Sequence, residues 1–161
     1  MITGQKDYVT PKQGMVLKYK GNFDFKKFYT STKEWLKKNK YILTEKEYKE
    51  KWGATGTEFR IQLEGERKID DQKSFNIWML IFITNAKKNN EKYSGSFHLN
   101  ITAYIDLDRK NKWQSNSIKK FLLFVYNNYI IKNELNNVYE DKIYAELMDL
   151  INSMKKHVDI K

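Results

Sequence analysis

Four carboxylates could in principle pair as general acid and general base. Glu64 and Glu66 stand two residues apart in one apolar–polar alternation, and Asp106 and Asp108 stand two apart at the end of another. Two carboxyl groups held in different environments can act as general acid and general base. The same alternation, however, turns all four side chains to the solvent side of their strands. We therefore expect solvated acids rather than a catalytic pair.

Other catalytic or cofactor-binding patterns are weak. His98 and His157 are the two histidines, they fall on different elements, and cysteine is absent. A zinc site would therefore need an unusual contribution from carboxylates. The segment 53–56, Gly-Ala-Thr-Gly, lacks the Gly-Lys-Ser/Thr that completes a phosphate-binding loop. The sequence thus predicts a non-enzymatic protein without catalytic residues, metal site or cofactor.

A row of lysines is the strongest candidate for binding. Lys26, Lys33, Lys37 and Lys40 fall within about 60° of arc at 100° per helical residue. Such a row suits a nucleic-acid backbone, because each neutralised phosphate releases counterions. We predict that these four lysines contact nucleic-acid backbone; an ordinary solvated helix face is the alternative. Lysine in place of arginine favours contact that is independent of base sequence.

The overall charge also favours an anionic partner. Lys and Arg number 30 against 20 Asp and Glu, a net charge of +10, which is typical of proteins that bind nucleic acid or acidic surfaces. Residues 1–56 carry +7 and residues 109–161 carry +4, whereas residues 57–108 carry −1. An A/T-rich genome would also enrich Lys, Asn and Ile at the expense of Ala and Pro, so the charge excess does not by itself establish binding.

Compartment signals are few. The chain has no cysteine, which fits a reducing compartment, and residues 1–14 contain no apolar run of the signal-peptide kind. The longest apolar stretch, 77–83, is far too short to span a bilayer. We expect a cytoplasmic protein without a membrane span.

These candidate residues must be positioned by one folded domain. Residues 1–14 are polar and hold the only proline, and they predict a flexible arm ahead of a single domain over residues 15–158. If the arm is ordered, we expect a neighbouring subunit or a sheet edge to hold it through Tyr8 and Val9. A short strand at 15–20 precedes a helix over 24–39. The inner face of this helix should comprise Phe25, Phe28, Thr32, Trp35 and Leu36.

Period-two alternation then predicts a run of strands at 41–49, 59–64, 75–83 and 96–107, with a polar hairpin loop at 85–92. The strand at 75–83 is apolar on both faces and should lie centrally. A second helix from Ser117 to about Asn133 should be central, and a third follows residue 137. The predicted inner stripe of the second helix is Ile118, Leu122, Val125 and Tyr129, widened by Phe121 and Phe124. The predicted inner face of the third helix is Ile143, Leu147, Leu150, Ile151 and Met154.

The predicted fold class is therefore α+β. The order βαββββαα indicates a four- to five-stranded antiparallel meander sheet with three helices on one face.

Several segments carry a family resemblance. They are the runs 45–51 (EKEYKEK), 112–114 (KWQ), 121–122 (FL), 126–131 (YNNYII) and 139–144 (YEDKIY). Over roughly residues 15–158 the chain resembles a family of small uncharacterised archaeal α+β proteins. The resemblance implies an archaeal-type cytoplasmic protein and carries no known activity.

Together these features predict a basic binding module for RNA or a ribonucleoprotein. Trp78, Tyr93 and Tyr104 are strand aromatics that are candidates to stack on bases. A structural or self-assembling protein-interaction subunit, with a homo-oligomer or protein partner, is one alternative. A small-ligand carrier, with a pocket between the sheet and the 117–133 helix, is another. An exposed apolar patch would favour the former, and an internal cavity the latter.

Overall fold

The computed structural model of the protein describes residues 2–3, 6–130, 132 and 135–158. These residues form seven strands and three α-helices. The strands are β1 (Ile2–Thr3), β2 (Lys6–Tyr8), β3 (Met15–Phe23), β4 (Ile42–Gly53), β5 (Gly56–Lys68), β6 (Ser74–Asn89) and β7 (Lys92–Asp106). The helices are α1 (Phe25–Lys38), α2 (Ser117–Val125) and α3 (Asp141–Lys155), with π-helical segments at Tyr126–Ile130 and Leu135–Glu140 between α2 and α3.

All strand pairs are antiparallel, and the chain order β4-β5-β6-β7 is a meander. The free edge of β7 is filled by two strands in line, β3 opposite Tyr93–Ile101 and β2 opposite Tyr104–Asp106. β6 therefore has β5 and β4 on one side, and β7 followed by β2 and β3 on the other, with β1 outside β2, which confirms that the 75–83 strand is central. The predicted α+β class with an antiparallel sheet is also confirmed.

One face of the sheet, here called the inner face, carries the core. The odd-numbered residues of β6 from Phe75 to Ile83 and of β7 from Phe97 to Ile105 are all buried. The opposite, outer face carries the even-numbered residues and is only partly buried: Trp78 and Leu80 are half-buried and Phe82 is 39% exposed. The apolar run of β6 thus reflects a full core on one side and an apolar surface on the other.

Helix α1 covers part of the inner face. The side chain of Asp24 caps its N-terminus by accepting a 2.9 Å hydrogen bond from Lys27 N. Its buried residues are the five that the sequence predicted. Gly65 makes this packing possible, because a Cβ there would lie 2.9 Å from Leu36 Cδ2.

Helix α3 covers the rest of the inner face and packs against α1. Its buried residues are again those predicted, from Ile143 to Met154. Trp35 Nε1 on α1 donates a 2.6 Å hydrogen bond to Asp149 Oδ2 on α3, which fixes the contact between the two helices.

Helix α2 differs from its prediction. Its predicted inner stripe faces solvent: Ile118 is 71% exposed, Leu122 50% and Tyr129 77%. Leu123 is the only buried residue of α2. The expectation of a central helix was therefore wrong. Since α1 and α3 already occupy the inner face, little core surface remains for a third helix.

The polar hairpin predicted at 85–92 is also shorter than expected. β6 extends to Asn89 and β7 begins at Lys92, so that only residues 90–91 form the turn. A β-bulge between Thr84 and Lys87 shifts the register, and it places Ala86 in the core.

The predicted arm contributes a strand. Lys6–Tyr8 pair with β7, and the Val9 and Thr10 amides donate to Ala103 O at 3.0 and 3.3 Å. The buried residues are Asp7 and Thr10, whereas Tyr8 and Val9, the predicted anchors, are half-buried. The structure thus favours the alternative in which a sheet edge holds the arm; its mobility in solution stays a prediction.

Candidate nucleic-acid interface

The four predicted lysines have different surroundings. Lys26 and Lys37 are exposed on α1, roughly 130–150° around the helix from the centre of its buried face. Lys33 Nζ lies 3.6 Å from Glu45 Oε2 and 4.2 Å from the centroid of the Tyr29 ring, so this cation already has two partners. Lys40 lies beyond the helix, after the C-cap residue Asn39, with φ 63°. The helical row is thus reduced to Lys26, Lys33 and Lys37.

A cleft of about 800 Å³ opens beside the first half of α1. Its walls include the rings of Phe25, Tyr29, Tyr48 and Tyr93, and the cation Lys26 lies at it. The charged side chains of this cleft nearly balance, since Lys26, Lys27 and Lys88 are accompanied by Asp24, Glu34, Glu50 and Glu91. The cleft is not where the ligand-carrier alternative placed its pocket, because α2 contributes no residue to it.

The outer face of the sheet brings together a row of basic and aromatic side chains that the sequence analysis did not combine. Register pairs align Lys18 with His98, His98 with Phe82, Phe82 with Arg60, and Arg60 with Lys49. We call these five residues the cross-strand row. They span five adjacent strands, roughly 19 Å at the usual strand spacing.

The cross-strand row presents one exposed aromatic ring, that of Phe82, with Arg60 on one neighbouring strand and His98 on the other. Phe82 is 39% exposed at its centre. A depression of about 330 Å³ borders Phe82, Arg60 and Lys49, and its lining also includes Lys51 and the carboxylates Glu50 and Glu58. Glu47 lies beside the row and receives Lys49 Nζ at 2.6 Å and Arg60 Nε at 3.0 Å. These hydrogen bonds, the one from Lys49 first, hold the pKa of Glu47 below its usual value. One carboxylate is thus shared between two cations.

Two of the three predicted stacking aromatics lie on the same outer face. Trp78 and Tyr104 occupy diagonal positions on β6 and β7, because Trp78 pairs with Thr102 and Asn76 pairs with Tyr104. Lys6 Nζ lies 4.3 Å from the centroid of the Tyr104 ring. Burial raises the pKa of the Tyr104 hydroxyl, against the opposing effect of Lys6, so the ring stays neutral.

Tyr93, the third predicted aromatic, points the other way. Its ring lies 5.6 Å from that of Phe59 and 6.3 Å from that of Phe25, in edge-to-face contacts. It belongs to the wall of the cleft beside α1 and not to the outer face. The signal for the outer face was present in the sequence, since Lys18 and Lys20 alternate with Leu17 and Tyr19 along β3.

The four carboxylates considered for acid–base chemistry each have structural partners. Glu64 pairs with Lys46 at 3.1 Å, and Glu66 with Arg109 at 2.5 Å. Asp106 Oδ1 accepts a 2.9 Å hydrogen bond from Asp108 N. Asp108 is buried, contrary to expectation, because it caps a turn by accepting from Lys112 N and Trp113 N at 2.9 and 3.0 Å. Within the part of the chain that the structure describes, no three His, Asp or Glu side chains gather as a metal site would require.

Comparisons with protein-family models, curated protein sequences and solved structures found no match. The archaeal resemblance therefore stays an expectation. Across residues 2–3, 6–130, 132 and 135–158, no helix is both long and apolar enough to cross a membrane.

Proposed function

We propose that this protein is a non-enzymatic binding module for single-stranded RNA, and that the outer face of the sheet is its binding surface. The observation that carries the proposal is the cross-strand row, in which Phe82 lies among Lys18, Arg60 and Lys49. Surfaces that bind single strands combine aromatic rings, on which bases stack, with cations that follow the phosphates.

The chemistry of the row predicts a particular kind of binding. Stacking on one ring is worth about 1–3 kcal/mol per base and tolerates any base. The cations are mainly lysines, which attract phosphates without the bidentate geometry that reads base edges. We therefore expect sequence-independent, salt-sensitive binding, with dissociation constants on the order of 10⁻⁴ to 10⁻⁶ M.

The α1 lysines remain a second possible surface for the same function. They face away from the inner side of α1, whereas the cross-strand row lies on the far side of the sheet. A short oligonucleotide therefore contacts one surface or the other. Variants that change only the cross-strand row, or only the α1 lysines, show which of the two surfaces determines the RNA affinity.

The test is fluorescence anisotropy with labelled 12-nucleotide RNA and DNA at several salt concentrations. The variant Lys18→Gln/Lys49→Gln should weaken binding and reduce the salt slope by about 1.4, since each phosphate contact on a single strand contributes about 0.7. Phe82→Leu keeps an apolar side chain but removes the stacking ring, and it should weaken binding about fivefold or more.

Two further variants make the result decisive. Lys119→Gln/Lys120→Gln removes two exposed lysines of α2 that lie on neither surface, and it should leave the RNA affinity nearly unchanged. If Lys26→Gln/Lys33→Gln/Lys37→Gln/Lys40→Gln weakens binding while the row variants do not, the outer-face assignment is wrong. The absence of binding to any oligonucleotide at low salt would exclude the function.

A further inference from the structure

An apolar stripe faces outward along α2 and the following π-helical segment. Ile118, Phe121, Leu122, Val125 and Tyr129 fall within about 100° of arc, which is the width of a core-facing stripe. Four of them are at least half exposed, and Val125 is half-buried. A stripe with this spacing is suited to bury itself against something outside the chain.

The exposed area is large enough to matter. Phe124, Tyr126 and Ile130 add exposed apolar surface on either side of the stripe. With 41–77% of each of these three side chains and of the four exposed stripe residues accessible, the apolar surface of this segment amounts to roughly 600–1,000 Å², taking about 150–250 Å² per large side chain. The largest patch on a typical monomer is about 300–600 Å².

The charge around the stripe identifies the kind of surface that it fits. From Arg109 to Lys132 the sequence holds six basic residues and no Asp or Glu. Arg109 and Lys110 pair with Glu66 and Asp71, whereas Lys119 and Lys120 are exposed on α2 itself. A helix that combines a stripe of Ile, Phe, Leu and Tyr with neighbouring lysines is typical of segments that lie in the interface of an anionic bilayer.

We propose that α2 and the following π-helical segment dock on an anionic lipid surface, with the helix axis parallel to the membrane. Ile118, Leu122 and Tyr129 enter the boundary between headgroups and acyl chains. Lys119 and Lys120 remain beside and behind the stripe, within about 10 Å of the lipid phosphates, where screening is incomplete. An exposed apolar patch is also what the sequence analysis expected of a self-assembling subunit, but a second copy of the chain fits less well, because it would bring two basic, acid-free segments together.

The test is co-sedimentation of the purified full-length protein with vesicles. We compare vesicles of phosphatidylcholine alone with vesicles that contain 30% phosphatidylserine, at 100 mM NaCl. The wild-type protein should bind the anionic vesicles and not the neutral ones. Hydrogen exchange in residues 117–130 should slow when the anionic vesicles are present.

Three variants separate the contributions. Ile118→Ser/Leu122→Ser should reduce the partition coefficient at least tenfold, and because both side chains are exposed the fold should survive. Lys119→Gln/Lys120→Gln should reduce it roughly fivefold per lysine. The matched control Ile42→Ser/Trp52→Ser removes two side chains that are 66% and 82% exposed on β4, and it should bind as the wild type does.

Three results would overturn the proposal. One is equal binding to neutral and anionic vesicles, and another is no binding to either. The third is a dimer, seen by light scattering, that Ile118→Ser/Leu122→Ser dissolves, because a second copy would then be the occupant of the stripe. None of these outcomes depends on whether the outer face of the sheet binds RNA.

Discussion

Arg67 on β5 and Glu146 on α3 form an ion pair with an N···O distance of 2.9 Å, and their side chains are only 17% and 18% exposed. Tyr41 donates to the same carboxylate at 2.8 Å, and the guanidinium also donates to Asn39 O at 3.0 Å. Burial, followed by the charge and hydrogen bond of Glu146, raises the pKa of Tyr41. This network ties the end of α1, the C-terminal end of β5 and α3 together.

Removing the shared acceptor should destabilise the fold. Glu146→Ala would leave the Arg67 guanidinium and the Tyr41 hydroxyl without their main acceptor, at a cost of about 2–3 kcal/mol in the free energy of unfolding. For a chain of this size the melting temperature should fall by roughly 5–10 °C. Thermal denaturation followed by circular dichroism measures this. Glu64→Ala, which breaks the more exposed pair with Lys46, should have a much smaller effect.

The contact between Glu140 and Asp7 predicts a pH dependence. Burial first, then the hydrogen bond and charge of Asp7, and then the charge of Asp141 raise the pKa of Glu140 to about 7. Since its pKa in the unfolded chain is near 4.5, the unfolded state loses this proton first. The folded state is therefore progressively disfavoured as the pH rises from about 4.5 to about 7.

The variant Glu140→Gln should remove that loss. At pH 8 we expect the variant to have a higher melting temperature than the wild type. At pH 4 we expect no difference, because residue 140 is uncharged in both the folded wild type and the variant. Glu34→Gln, at an exposed position on α1, is the matched control and should show no such pH-dependent gain. A destabilised Glu140→Gln protein at pH 8 would contradict the assignment.

The N-terminal arm gives the third prediction. Thr10 Oγ1 accepts a 3.1 Å hydrogen bond from Ala103 N, and the Asp7 side chain is fully buried. Amides 7–10 of the monomer should therefore exchange slowly, and Thr10→Ala should accelerate them because it removes a partner of β7. Hydrogen exchange read by mass spectrometry measures both. Fast exchange throughout residues 6–14 of the wild-type monomer would instead support the flexible arm that the sequence predicted.

Local periodicity determined much of this protein. The buried residues of α1 and α3 and the inner residues of β7 follow directly from spacings of 3.6 and 2. Each of these elements packs its apolar face on the core, so the pattern and the burial agree. The central place of β6 follows from the same reasoning, because its run of apolar residues requires neighbours on both sides.

Only the tertiary structure decided where α2 faces and which distant side chains meet. The stripe of α2 has the same spacing as that of α1, yet it faces outward, because periodicity reports which residues share a face and not which surface that face meets. The cross-strand row likewise depends on the register of five strands, and a shift of one residue would turn its members to the other face. Arg67 binds Glu146, and Asp7 contacts Glu140. The residues of each pair are far apart in the sequence, so no local sequence pattern predicts these contacts.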